Sequence, residues 1–229
     1  MANLILIMGK TGTGKSRSIK NLDPNKTYVI NCMNKDLPFK GARTQYNREK
    51  KNINNINDWE TVSKAMEQIL KLKPETNTII IDDVRYIMEN EFIGRATEVG
   101  YTKFTQLGQH MIHVLNTAKN IGDSNVDIFL MFHTDDIYNG TNIVGYKPKL
   151  VGKLVEDHFD PIELVTICLV THVEISEGKN NYYFITNKTN IDGISIPAKS
   201  PEDMFPLMIE NDLSLVKEHI HKYYKEEQV

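Results

Sequence analysis

The chain has 229 residues, a formal net charge of −3, 40% hydrophobic residues and 25% charged residues. These values exclude wholesale disorder and a uniformly basic nucleic-acid-binding surface, while leaving room for a local basic patch. The length fits one large domain with a substantial buried core, residues 1–229, read as a core over 1–160 and an extension over 161–229.

"NLILIM" (3–8) is a short apolar run with the signature of a fully buried strand. A glycine-rich stretch ends it, and a helix is expected from near Lys15 to before Asp23-Pro24. "TYVINC" (27–32) is a second strand, followed by a polar, basic, asparagine-rich connection. Asn57 and Glu60 then form the pattern of a capping box. In the helix that follows, Trp59, Val62, Met66, Ile69 and Leu70 share one face, and Pro74 closes it. "NTIIIDD" (77–83) reads as a third buried strand ending in carboxylates. Helical segments are expected at about 84–97 and 102–120, the second with Phe104, Leu107, Met111, Leu115 and Ala118 in a stripe. "VDIFLMFH" (126–133) is a fourth strand. Alternating strands and helices predict an α/β fold with a mostly parallel sheet covered on both faces. Beyond residue 160, "ELVTICLVTHVEIS" and "NYYFITN" flank the turn "EGKN" as a β-hairpin, and a C-terminal helix runs from about Leu213 to Tyr224.

Cys32 and Cys168 make no metal-ligand pattern, so both are expected reduced and buried in a cytoplasmic protein. The N-terminus lacks a basic n-region and no stretch approaches a membrane span, so no membrane partner is expected.

"GKTGTGKS" (9–16) matches G-x-x-x-x-G-K-[ST] in full. The residues expected around bound phosphates are Gly9, Lys10, Thr11, Gly12, Thr13, Gly14, Lys15, Ser16 and Arg17. Backbone amides freed by the glycines converge on one point, and a following helix N-terminus adds partial positive charge. Lys15 would neutralise the outer phosphates of ATP, and the Ser16 hydroxyl would ligate Mg²⁺. The matching acid belongs at the end of a neighbouring buried strand, where Asp82 stands as the Mg²⁺ partner. Asp83 either polarises an attacking water or faces solvent. His133 and Thr134 end a further strand, on the side of an α/β sheet where ligands bind, and can sense a terminal phosphate or orient water.

Three uses of the nucleotide are open on the residues alone. A small-molecule kinase needs an arginine-rich lid, yet the arginines are Arg17, Arg43, Arg48, Arg85 and Arg95, with none beyond. A ring- or filament-forming ATPase needs a cation that reaches a neighbouring subunit, for which Lys147, Lys149, Lys153 and Arg95 are candidates. A third use is a nucleotide switch that binds without turnover. Residues 35–51, "KDLPFKGARTQYNREKK", gather Lys35, Lys40, Arg43, Arg48, Lys50 and Lys51 beside Phe39 and Tyr46. Cations beside aromatics suit single-stranded nucleic acid, and a solvated loop has the same composition.

The order "GKTGTGKS", "VINCMNKDLPFKG", "IIIDDVRYIMENEF", "IFLMFHTDD", "KLVGKLVE" and "KSPEDMF…ENDL" resembles a family of phage-encoded RecA-like P-loop ATPases. This is the group related to the Sak-type single-strand annealing and recombination proteins. The resemblance runs along nearly the whole chain, and "LPFKG", "MENEF" and "KSPEDMF" make it more specific than the phosphate loop. It implies a RecA-like core, ATP and Mg²⁺ as cofactors, single-stranded DNA as partner, and homo-oligomeric work beside a single-strand binding protein in phage recombination or replication. It also implies host cytoplasm as the location. Lys15, Ser16 and Asp82 take the phosphate and Mg²⁺ roles, His133 and Thr134 the sensor position, and Lys149–Lys153 a segment used between subunits. One position departs from the pattern. The catalytic glutamate expected beyond the second strand is Met33 here, with Asp36 three residues on. Either Asp83 has taken over that role or hydrolysis is slow. A phage ATPase that remodels a protein partner is the alternative to a DNA-acting one.

Overall fold

The computed structural model describes residues 2–123 and 125–226. Its first strand, β1 (Asn3–Gly9), runs directly into the phosphate loop. Six residues then form a 3-10 turn, Ser16–Asn21, in place of the expected α-helix. The Ser18 amide divides between the carbonyls of Gly14 (3.1 Å) and Lys15 (3.2 Å), and the Ser18 hydroxyl also takes the Lys15 carbonyl. A serine competing for backbone acceptors tightens a turn, and Pro24 leaves no room to recover. A macrodipole is correspondingly weak there, which removes the partial positive charge expected from a helix N-terminus.

The chain continues through β2 (Thr27–Asn31), the short α1 (Ala42–Gln45) and β3 (Ile53–Asn54). Helix α2 (Trp59–Leu72) is capped by Asp58, whose carboxylate accepts from the Thr61 amide at 2.8 Å. The cap thus stands one residue beyond the expected Asn57, and its carboxylate takes the Thr61 amide in place of the Glu60 amide of the expected box. Then come β4 (Thr78–Asp82), α3 (Arg85–Gly94), α4 (Thr102–Lys119) and β5 (Asp127–Asn139). Strand β5 outruns the apolar stretch by six residues and turns at Gly140 into β6 (Asn142–Pro148). Helix α5 (Lys153–His158) leads to β7 (Ile167–Ser176) and β8 (Lys179–Ile185), the hairpin expected from the sequence. Short strands β9 (Thr189–Ile191), β10 (Ile194–Ile196) and β11 (Met208–Glu210) precede α6 (Leu213–Glu226).

The main sheet has the order β11-β8-β7-β1-β5-β4-β2-β3. From β7 to β3 every pairing is parallel, and β8 and β11 add an antiparallel edge. The hairpin therefore completes the sheet, with β7 lying directly against β1. Strand β6 folds back on the outer half of β5 and carries β10 and β9 as a side sheet. Alternation along β1 sends Leu4, Leu6 and Met8 to the face covered by α2 and α4, and Ile5 and Ile7 to the face covered by α6. Leu213, Val216 and Ile220 of α6 are fully buried, each contributing about 1.5–3 kcal/mol of transfer free energy. Both cysteines are free and buried. Among the described residues, no helix is long and apolar enough to cross a membrane.

Candidate nucleotide site

The sheet sets the site. Register aligns Gly9 of β1 with His133 of β5, and Asn31 of β2 with Asp82 of β4. The carboxyl ends of these parallel strands thus bring the phosphate loop, both aspartates and the histidine to one edge, beside a cleft of about 380 Å³. The cleft is lined by Thr11, Gly12, Gly14, Lys15, Ser16 and Arg17 together with Lys35, Asp36, Asp83 and His133 among others.

Two glycines of the loop are required by their surroundings. A Cβ on Gly9 would lie 1.8 Å from Thr171 Oγ1, inside the hydroxyl that ties β7 to the loop. Gly14 has φ +105°, and a Cβ there would sit 2.9 Å from Asn211 Oδ1 and from the Tyr182 ring. Thr13 meets Thr171 through their hydroxyls at 2.6 Å, and Lys10 pairs with Asp136 of β5 at 2.8 Å. Arg17 stacks over the Tyr182 ring, 4.5 Å from its centre.

Lys15 is buried, and its ammonium donates to the carbonyls of Gly9 (2.8 Å) and Lys10 (3.0 Å). Burial pulls its pKa down to about 8, against the attraction of Asp83 and Asp82. Ser16 Oγ donates to Asp82 Oδ1 at 2.9 Å. The other oxygen, Asp82 Oδ2, is buried with no hydrogen-bond partner. Burial foremost, and then the charge of Asp83, push the Asp82 carboxyl upward. A hydroxyl beside an orphaned buried carboxylate oxygen is the donor set a hard divalent cation takes. Ser16 and Asp82 therefore fit Mg²⁺. Among the described residues no group of three or more His, Cys, Asp or Glu could hold a metal. A Mg²⁺ ion here would thus take its remaining ligands from nucleotide and water.

Asp83 follows on a left-handed backbone, φ 60°. Successive residues of an extended strand point to opposite faces, and this turn brings the second carboxylate into the same site. His133 Nε2 lies 2.9 Å from Asp83 Oδ1, and Lys35 forms an ion pair with the other oxygen. Burial acts to raise the Asp83 carboxyl, but His133 and Lys35 outweigh it and hold the group below the ordinary range. Asp83 therefore faces the cleft and not solvent. Thr134, beside His133, has a buried hydroxyl with no partner.

The remaining candidates lie elsewhere. Arg95 is tied to Glu91, Glu98 and Gln106. Lys149 pairs with Asp135 at 2.7 Å and Lys147 with Glu156 at 3.2 Å. Lys153 is exposed at the start of α5 and makes no ion pair among the described residues. Lys40, Arg43, Arg48, Lys50 and Lys51 are all exposed, with Arg43 paired to Asp36. The aromatics between them turn inward: Tyr46 is buried and Phe39 packs edge-on against it. Met33, at the position where the resemblance expects a glutamate, is exposed and does not line the cleft. Lys35 was legible only as one cation of a basic run; its place at the exit of β2, beside the missing acid, was the available signal.

A phosphate loop after β1, an acid pair at the end of β4 and β5 interposed between the two strands make this a RecA-like P-loop NTPase fold. Among solved structures, a KaiC-like protein from the hyperthermophilic archaeon Pyrococcus horikoshii is similar at 14% identity, covering 80% of this chain and 77% of that one with a TM-score of 0.44. The flagellar accessory protein FlaH from Methanocaldococcus jannaschii is similar at 18% identity, covering 85% and 81%, with a TM-score of 0.45. No curated protein matches the chain. A family model described as an AAA domain matches residues 1–192, and with the phosphate loop, the acid pair and the strand order already in place, the chain belongs to that AAA domain family.

Proposed function

We propose that the chain binds and hydrolyses ATP with Mg²⁺, and that it acts as a homo-oligomer on single-stranded DNA in phage recombination or replication. The observation that carries the nucleotide half is Lys15, Ser16, Asp82, Asp83 and His133 gathered at one sheet edge. Lys15 exchanges its two loop carbonyls for phosphate oxygens. Ser16 and Asp82 hold the cation, which neutralises phosphate charge when bound. Asp83, kept ionised and oriented by His133, takes the water-orienting role that Met33 cannot fill.

Support for the DNA half is the exposed cationic run Lys40, Arg43, Arg48, Lys50 and Lys51, which begins five residues after the cleft residue Lys35. With Phe39 and Tyr46 packed inward, this loop meets the phosphate backbone without stacking on bases. Binding of that kind is insensitive to sequence and steeply salt-dependent. In an oligomer, Lys153 is the candidate cation left unpaired among the described residues to reach a neighbour's nucleotide. The test is the steady-state ATPase rate with and without single-stranded DNA over a range of protein concentrations. Stimulation that grows with concentration supports the reading. A rate indifferent to DNA favours the protein-remodelling alternative.

A further inference from the structure

We propose that Lys35 is a cation built into the site in cis to read the terminal phosphate of a bound nucleoside triphosphate. The turn that delivers it is specific. Asn31, at the end of β2, is buried, and its side-chain amide donates to the Lys35 carbonyl at 2.6 Å. The same side chain accepts from the Met33 amide at 3.3 Å. Asn34 adopts φ 53°, which reverses the chain back toward the cleft. Lys35 therefore does not join the basic run that follows it. Its ammonium enters the cleft and pairs with Asp83, on the carboxylate oxygen that His133 does not contact.

Its two ends differ in freedom. The backbone is pinned by Asn31, while the side chain is 48% exposed and free to swing on a four-carbon stem. Lys15, by contrast, is buried and held by two carbonyls. Asp83 and Lys35 line the same cleft as the loop residues that would grip phosphates. A third phosphate entering beside Asp83 adds an anion within reach of the Lys35 ammonium. The ammonium moves from one anion to the other, and Asp83 keeps its contact with His133. A diphosphate brings no such anion, and Lys35 stays on Asp83. Lys35 thereby distinguishes tri- from diphosphate and frees one oxygen of Asp83 only when the triphosphate is present. The inference rests on the nucleotide reading above.

The test is calorimetric affinity for β,γ-imido ATP and for ADP, both with Mg²⁺, in the wild type, Lys35→Ala, Lys35→Arg and Lys35→Gln. A charge-assisted contact to the third phosphate predicts that Lys35→Ala weakens the triphosphate analogue about 10–100-fold. ADP affinity should stay within about twofold, which also reports an intact fold, and Lys35→Arg should retain most of the discrimination. Equal losses for the two nucleotides, or no loss for either, overturn the assignment. If Lys35→Ala does not fold, Lys35→Gln, which keeps a hydrogen-bond donor for Asp83, decides by the same ratio. A wild type that binds neither nucleotide overturns the nucleotide reading itself, whereas a wild type that binds both, with an unchanged ratio in the variants, overturns only the role of Lys35.

Discussion

Ser16 Oγ donates a 2.9 Å hydrogen bond to Asp82 Oδ1, joining the phosphate loop to the end of a strand two places away in the sheet. The bond leaves Asp82 Oδ2 buried and unpartnered. A buried anion short of partners lowers stability, and sites that bind cations accept that cost for function. Asp82→Asn should therefore stabilise the nucleotide-free protein by roughly 1 kcal/mol and raise its melting temperature. The same change should reduce Mg²⁺-dependent turnover at least ~100-fold. Melting curves and ATPase rates on the same preparation check both halves, and a variant that is less stable yet active contradicts the assignment.

The burial of Lys15 predicts a pH-dependent nucleotide affinity. Its pKa in the free protein is pulled down to about 8 by burial. Below that pH the ammonium is already charged and phosphate binding needs no proton. Above it the amine is neutral, and a bound polyanion must draw a proton onto it. Affinity for Mg·ATP should fall as pH rises through 8, and binding near pH 8 should take up about half a proton per site. Calorimetry in buffers of different ionisation enthalpy measures the uptake. A binding enthalpy independent of buffer at that pH would refute it.

At the other end of the sheet, Asp127 anchors the C-terminal helix. It is fully buried and accepts from Asn3 Nδ2 at 2.8 Å, with His221 Nε2 at 2.8 Å and Lys217 Nζ at 3.1 Å. Burial lowers the pKa of Lys217 against the pull of Asp127. Asp127→Asn would leave the largely buried Lys217 cation with only neutral partners. About 2–3 kcal/mol of stability should be lost, less than for a fully enclosed pair because His221 reaches solvent. Urea denaturation checks the value, and a change below ~0.5 kcal/mol would show that the cluster does not hold α6 in place.

The exposed run from Lys40 to Lys51 gives a prediction in salt. Neutralising Lys40, Arg43, Lys50 and Lys51 together should weaken single-stranded DNA binding and flatten the slope of log K against log salt by about 2–3. Replacing Phe39 should leave that slope unchanged, since its ring packs on Tyr46. An unaltered slope in the quadruple variant removes the loop from the DNA site.

What could be read from the sequence was what is encoded locally. The apolar runs of β1, β2 and β4, the phosphate loop and the strand-end acids follow from short-range pattern, and the structure places them together. The stripes of α2 and α4 were equally legible, because helical periodicity repeats over several turns. The 3-10 turn after the loop was hidden, since Ser18 competes for backbone acceptors only once the chain is in place. Tyr46 looked like a surface aromatic among cations; its burial against Phe39 depends on a core drawn from distant segments. The position of β7 beside β1 was also beyond local reading, as a hairpin signal does not say which sheet the hairpin joins. The placement of Lys35 in the cleft was hidden as well, because it comes from a turn fixed by Asn31 and from a carboxylate far along the chain.

The central claim, that the loop on β1 holds a nucleotide through Lys15, is tested most directly by equilibrium binding of Mg·ATP to the wild type and to Lys15→Ala. The account predicts saturable one-site binding by the wild type, loss of at least ~100-fold in the variant, and an unchanged circular dichroism spectrum. Equal affinity in the two folded proteins would contradict it.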